Sequence, residues 1–478
     1  MGLGDKMFKG MAWSAIERIS IQAVQFVIGI VLLRILSPPE FDIIAILLVF
    51  ITISQVFIDS GFTKALIQKQ NRTNDDISTV FIFNIVISLV CYALLWLVAP
   101  LIANFYQIEE LVLLLRVLAI SLIVNALFTV PVTLYTIELD FKVITKVNFL
   151  SSIISGAIAI YMAYVGFGVW ALVAQTLIKS VLTAILIWFG LKWKPNWVFS
   201  KGSLKELFSY GSNLLISSIL NTSVNKLYEL VIPKVTSPGN LGYYTSGTRI
   251  TDFIFGIMNA VLERVLLPGL ASLQDQIETL VKHTRSIIRA TALITVPIFI
   301  FLATVAEPLI LILMTDKWLP AVPIMQIFCI ARAITIISGI NVNLLYVIGR
   351  TDLALRQQYA KLSIRVVLLI AALKYGILFI ALAELASTTI HFFINTYYPG
   401  KIMKYGSLNQ IKDMLPIIFS GLIMSLCVFL IIGRIENNLA KLCLAPVIAI
   451  PIYFTFIRLF KVQELQMLLT KAKGLKKK

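Results

Sequence analysis

Between residues 11 and 460, long apolar stretches follow one another with short polar gaps between them. Hydrocarbon offers the backbone no hydrogen bonds, so a chain that crosses it does so as helices of about 20 residues or as a closed barrel of short alternating strands. Residues 80–98 and 292–305 are apolar without alternation, which selects helices. The pattern predicts about 14 spanning segments, at residues 11–36, 41–62, 78–101, 111–134, 147–165, 168–191, 208–233, 242–266, 287–314, 321–347, 358–375, 377–397, 413–433 and 440–460. The split between the eleventh and twelfth depends on a turn at Lys374-Tyr375-Gly376; without it the count is 13. The chain is read as an all-α polytopic membrane protein.

Composition agrees. Of 478 residues, 59% are hydrophobic and 14% charged, against roughly 25% charged in ordinary soluble domains. The net charge of +17 would suggest nucleic acid in a soluble protein, but here the basic residues lie between helices, where they report orientation. With both ends and the even-numbered loops on the cytoplasmic side, that side holds Lys64, Lys69 and Arg72, the group Lys192, Lys194, Lys201 and Lys205, the group Arg350, Arg356, Lys361 and Arg365, and the tail after Phe460. The opposite side holds Arg34, Lys234, Lys317, Lys374, Arg434 and Lys441. Nucleic acid is therefore not expected as a partner, and both termini are expected on the cytoplasmic side of the membrane.

Sliding the chain on itself by 200 residues superposes Arg34 on Lys234, Ser37-Pro38 on Ser237-Pro238, Phe41 on Leu241, and Asp59 on Asn259. This predicts two pseudo-symmetric six-helix lobes plus two C-terminal helices, a parallel repeat with the site between the lobes. The expected division is an N-terminal lobe at 1–191, a cytoplasmic linker at 192–207, a C-terminal lobe at 208–400, helices 13 and 14 at 401–460, and a basic tail at 461–478. In the linker, Trp193 and Trp197 read as interface anchors, Pro195 as a breaker, and Ser203-Leu204-Lys205-Glu206 as a capping box.

Once the basic residues at loops and segment ends are assigned to the two sides, six remain within the predicted helices: Arg18, Arg116, Lys179, Lys226, Arg249 and Arg332. An ionisable side chain at mid-membrane costs several kcal/mol unless it faces a partner or a cavity. The first helix aligns Arg18, Gln22, Gln25 and Gly29 in one stripe, with Glu17 beside it. The seventh carries Asn213, Ser217, Asn221, Asn225 and Glu229 with Lys226 adjacent, and the eighth Arg249, Asp252, Gly256, Asn259 and Glu263. These stripes are expected to line one interior. Asp252 lies one turn from Arg249 and Glu229 one turn from Lys226, so pairing within a helix stands beside a role in transport. Arg116 and Arg332 have no acidic residue within a turn, which leaves them for carbonyls or for an anion. The interior leans cationic and suggests an anionic substrate.

Two histidines and four scattered cysteines give no metal-ligand spacing, and no nucleotide-binding or nucleophile motif is present. No cofactor or metal is expected.

The chain resembles the polysaccharide transporter branch, Wzx-type and colanic acid exporter-like, of the multidrug/oligosaccharidyl-lipid/polysaccharide exporter superfamily. The resemblance rests on Leu33-Arg34-Ile35-Leu36-Ser37-Pro38-Pro39-Glu40-Phe41, Asp59-Ser60-Gly61-Phe62, Gly166-Phe167-Gly168-Val169-Trp170, Leu241-Gly242-Tyr243-Tyr244 and Arg264-Val265-Leu266-Leu267-Pro268. One position departs from the pattern: Asp42 stands where the family usually has Gly, while Gly242 occupies the matching place in the second half. The resemblance implies a non-enzymatic flippase that moves undecaprenyl-diphosphate-linked oligosaccharide units by alternating access, for O-antigen, capsule or exopolysaccharide export. Its expected partners are the lipid-linked oligosaccharide, membrane lipids, and a polymerase with its export machinery. In that reading Arg18, Arg116, Arg249 and Arg332, then Lys179 and Lys226, contact the diphosphate. Gln22, Gln25, Asn221 and Asn225 contact sugar or water, and Glu17, Glu229 and Asp252 serve coupling or ion pairing. Lipid II or multidrug export is the alternative within the superfamily. A membrane glycosyltransferase or polymerase is the alternative outside it, although the outer loops, about ten residues at most on this segmentation, leave little room for a catalytic domain.

Overall fold

The computed structural model describes residues 20–59, 62–69, 71–138, 140–191, 193–271, 276–462 and 464–465. Among them the regular elements are helices: α1 (Ser20–Ile35), α2 (Pro38–Asp59), α3 (Phe62–Gln68), α4 (Asn74–Tyr106), α5 (Leu111–Leu118), α6 (Ile120–Ile137), α7 (Phe141–Tyr164), α8 (Val169–Gly190), α9 (Lys201–Asn225), α10 (Leu227–Val235), α11 (Asn240–Ala271), α12 (Ile277–Thr304), α13 (Ala306–Leu313), α14 (Val322–Val347), α15 (Thr351–Ala372), α16 (Ile377–Met403), α17 (Ser407–Ile432) and α18 (Asn438–Leu459). Each predicted segment coincides with one helix or with two in series; the fourth, seventh and ninth are broken at Ala119, Lys226 and Val305. The turn that separates the eleventh and twelfth segments is present, a 3-10 turn over Leu373–Tyr375 followed by Gly376 at φ +88°. Only glycine adopts that conformation without strain.

Ten helical stretches in the described residues are long and apolar enough to cross a membrane. Three further helices, α9, α11 and α15, have 25, 32 and 22 residues, long enough to span, and carry more polar and charged positions than most of the ten.

The helices form two compact units, Met1–Gly242 and Tyr243–Lys478. In the first, α2 packs against α4, α5, α6, α8, α9 and α10. The buried face of α7 is small, with Ser151, Ser152, Ser155, Gly156, Ala159 and Ala163, and it packs closely on α8 in the manner of membrane helix interfaces. In the second, α14 packs against α12, α15 and α16, while α17 bridges α12 and α18. A reciprocal pair ties α14 to the start of α17: Asn341 Nδ2 donates to Gln410 Oε1 at 3.0 Å, and Gln410 Nε2 donates to Asn341 Oδ1 at 2.7 Å. The sequence segmentation divides the chain at the linker, whereas the compact units part within the corner that leads into α11.

The segment 193–200 is laid on the start of α4. Trp193 Nε1 donates to Asn74 Oδ1 at 2.6 Å, and the Asn196 and Ser200 N–H groups donate to Ser78 Oγ and Thr79 Oγ1 at 3.1 and 3.0 Å. The expected capping box at Ser203 and Glu206 does not form. Helix α9 begins earlier, with Ser200 Oγ accepting from the Ser203 N–H at 3.2 Å, and Glu206 pairs with Lys69 at 2.9 Å. Lys69 also meets Asp76 at 2.9 Å, and hydrogen bonds to Asp76 and then Glu206 hold its ammonium above the usual lysine range.

The departure at Asp42 has a structural counterpart. Its buried carboxylate accepts from the Gly239 N–H and the Gly242 N–H, each at 2.5 Å, and so caps the entry to α11. A Cβ on Gly242 would lie 2.5 Å from the Pro38 carbonyl oxygen, so glycine is what permits the approach. The two corners that the repeat aligns, Ser37-Pro38 and Ser237-Pro238, are thereby clasped. Asp42→Ala leaves two buried N–H donors without an acceptor, at about 1–3 kcal/mol each. It is expected to lower the melting temperature of the purified protein by several degrees, with Asp42→Asn intermediate; unchanged unfolding curves for both would contradict the clasp.

Candidate functional site

The polar residues of the first unit fall into separate groups. Glu17 and Arg18 lie outside the described residues, as does the side chain of Asn221 in α9. Gln22 is half-buried and Gln25 exposed on α1, and Asn225 is exposed at the end of α9. At the break that follows, Lys226 Nζ binds both carboxylate oxygens of Glu229, at 2.7 and 2.8 Å. The ion pair foreseen between these two residues is formed. Lys179 is half-buried in α8, with no ion pair among the described residues. Arg116 stands apart from these groups, stacked 3.9 Å from the centroid of the Trp96 ring, which is itself exposed on α4. Two amides link α6 to α2 and end on a carboxylate, from Asn125 Nδ2 to Gln55 Oε1 and from Gln55 Nε2 to Asp59 Oδ1, both at 3.0 Å.

In the second unit, Arg332 on α14 reaches across to α11 and pairs with Asp252, Nε to Oδ1 at 2.5 Å. Its guanidinium also lies 5.3 and 5.2 Å from the Phe255 and Phe328 ring centroids. Asp252 thus pairs between helices, and Arg332 is neither carbonyl-bound nor a lone cation. The Asp252 side chain keeps 44% of its surface exposed and that of Arg332 21%, so the pair is only partly buried. Arg249 lies half-buried one turn before Asp252 on the same helix.

Below this pair a polar cavity of about 380 Å³ opens between α11, α14, α15 and α16. Its lining includes Asn259, Asn343, Lys361, His391 and Asn395. Asn259 and Asn343 stand out in the sequence, but Lys361 and its neighbour Arg365 were counted there with loop charges. Helix α15 starts at Thr351, which places Lys361 about 15 Å along its axis. The usable signal was the Lys361-Arg365 spacing of four, one face of a helix. Arg365 is held by Glu384 of α16 in a two-pronged pair at 3.1 and 2.9 Å. A second cavity, about 770 Å³ and mainly apolar, lies between α12, α14, α16 and α17, walled by residues such as Val296, Phe299, Ile337, Phe392 and Met414. The unit thus offers hydrogen-bonding and hydrocarbon surfaces in separate places. Among the described residues, no three His, Cys, Asp or Glu side chains are grouped to hold a metal ion.

A family model for polysaccharide biosynthesis proteins matches residues 31–323. The chain belongs to the polysaccharide biosynthesis protein family. Among similar proteins, the teichuronic acid biosynthesis protein TuaB of Bacillus subtilis (strain 168) is 27% identical over 410 residues, covering 84% of this chain and 83% of TuaB. The lipopolysaccharide biosynthesis protein WzxC of Escherichia coli (strain K12) is 23% identical over 359 residues, covering 74% of this chain and 73% of WzxC. These relatives uphold the Wzx-type resemblance carried by the motifs. Among solved structures, the lipid II flippase MurJ in an inward closed conformation has the same fold, with a TM-score of 0.76 at 16% identity over 94% of this chain and 98% of MurJ. The chain thus shares the fold of that flippase.

The Asp252–Arg332 pair makes a direct test of coupling between α11 and α14. Asp252→Asn and Arg332→Gln should each lower thermal stability, and the double variant should fall short of the sum by about 1 kcal/mol, as for a partly exposed pair. Strictly additive shifts in purified variants would show that the two side chains do not interact.

Proposed function

We propose that this protein is a flippase that carries lipid-linked oligosaccharide repeat units across the bacterial inner membrane by alternating access, for surface polysaccharide export. It is a transporter and not an enzyme, as its family and fold neighbours are. The observation that carries the reading is the polarity of α9, α11 and α15. These helices are long enough to span, yet they carry Asn221 and Asn225, then Arg249, Asp252 and Asn259, then Lys361 and Arg365. Such helices are stable in a membrane only if their polar faces line a hydrated path or meet partners. A drug-binding site for hydrophobic cations would call for unpaired acids, and Asp252 and Glu229 are both engaged by cations.

The substrate reading follows from matching chemistry to surface. An oligosaccharide linked to a polyprenyl diphosphate, such as undecaprenyl diphosphate, presents oxyanions that arginine binds in two-pronged geometry, sugar hydroxyls that amides bind, and a long hydrocarbon chain. Arg249, with Arg332 released from Asp252 on substrate binding, supplies cationic donors; Arg18 is the matching candidate on the first helix. Gln22, Gln25, Asn221 and Asn225 supply amides, and the apolar cavity fits the prenyl chain. Lys179 and Lys226 are second-rank cations, and the outward stacking of Arg116 on Trp96 fits an interfacial anchor better than a substrate contact. The two six-helix lobes, the cytoplasmic termini, and a polymerase acting on the delivered repeat unit complete the proposal.

In a strain without this chain, lipid-linked repeat units should accumulate and surface polysaccharide should disappear. Arg249→Ala, present at normal membrane levels, should restore export at least about tenfold less well than the intact chain, the loss expected of one charged hydrogen-bond donor. Full restoration would remove Arg249 from the mechanism, and export unaffected by loss of the chain would remove the flippase reading.

A further inference from the structure

The cavity between α11, α14, α15 and α16 carries more charge than its structure uses. Lys361 and Arg365 lie one turn apart on α15, and the carboxylate packed against them, Glu384, is occupied on both oxygens by Arg365. Lys361 has no ion pair among the described residues, although its side chain lines a cavity walled by membrane helices. His391, in the same cavity wall, holds that helical turn: its Nε2 donates to the Lys361 carbonyl oxygen at 3.0 Å and lies 3.1 Å from Ser387 Oγ. Around this one cation stand neutral hydrogen-bonding groups. Asn395 Nδ2 donates to Ser338 Oγ at 2.8 Å, while its buried Oδ1 has no hydrogen-bond partner. Asn259, Asn343 and Thr388 add further polar groups to the wall. A buried acceptor left without a donor is destabilising, and an ammonium in such a wall is more so unless an anion or water meets it.

We propose that this cavity is a saccharide subsite that selects a sugar bearing a carboxylate, with Lys361 as the counter-charge and Asn395 Oδ1 as an acceptor for a sugar hydroxyl. The proposal rests on the flippase reading above and names the substrate class within it. Size and charge both favour it. A cavity of about 380 Å³ is at the small end of ligand sites, suited to one or two glycosyl residues. One unneutralised ammonium matches the single charge of a uronate, whereas a diphosphate calls for several cations. The cavity lies toward the α14–α15 corner, the end that the charge pattern assigns to the cytoplasm, where a newly made repeat unit would enter.

Binding to the purified full-length protein in nanodiscs tests this independently of transport. The probes are a glucuronate-terminated trisaccharide, the same trisaccharide ending in glucose, and farnesyl diphosphate as a short carrier. The acidic trisaccharide should bind about tenfold more tightly than the neutral one. Lys361→Met should abolish that preference, Lys361→Arg should keep it, and Asn395→Leu should weaken both sugars while leaving their ratio unchanged. Equal binding of the two trisaccharides, or a preference that survives Lys361→Met in protein with an unchanged melting curve, overturns the proposal. So does a Lys361→Met effect confined to farnesyl diphosphate, which would assign the cation to the carrier. Failure of the flippase reading would appear instead in the export assay, with sugar binding intact.

Discussion

Hydrocarbon cannot solvate a charge or an open backbone hydrogen bond, and this constraint organises the molecule. It forces the chain into helices, and it forces each ionisable side chain inside those helices to find a partner or a wet surface. The pairs Lys226–Glu229, Arg332–Asp252 and Arg365–Glu384 are three solutions, the first local and the other two joining different helices. Ion pairs of this kind add little net stability over apolar packing, because desolvation offsets most of the attraction. Their presence in α11, α14, α15 and α16 is more readily explained by a need for polar groups that a substrate can address.

The clasp at Asp42 shows how a repeat acquires specificity by breaking its own symmetry. Positions 42 and 242 are equivalent under the 200-residue offset. With glycine at both, neither corner could accept the other's N–H groups; with aspartate at both, the backbones could not approach. One carboxylate and one glycine satisfy both conditions, since Asp42 receives the Gly239 and Gly242 N–H groups while Gly242 leaves room for the Pro38 carbonyl. The departure from the family pattern is thus a working contact of the fold.

Cavity chemistry divides in the same way. The larger space in the second unit is walled by aliphatic and aromatic side chains, while the smaller one holds amides, a histidine and a lysine. A lipid-linked saccharide is amphipathic along its length, so separate apolar and polar cavities suit it better than one mixed pocket would.

The helical segments, the turn before Gly376 and the polar character of the seventh, eighth and first helices were legible in the sequence, because each depends on neighbours within a turn or two. Periodicity and length suffice where the solvent is hydrocarbon. Residue partnerships were not legible. Asp252 has Arg249 one turn away in sequence, yet it pairs with Arg332, 80 positions on, because helices α11 and α14 bring those side chains together. Ser203 and Glu206 have the spacing of a capping box, but Ser200 starts the helix once segment 193–200 is anchored on α4. Lys361 reads as a loop charge until α15 is seen to begin at Thr351 and to face α14 and α16. The sequence by itself determined that the chain spans a membrane as helices with polar faces. Only the tertiary structure decided which of those charges are neutralised by one another, because that depends on distances between helices that no local pattern encodes.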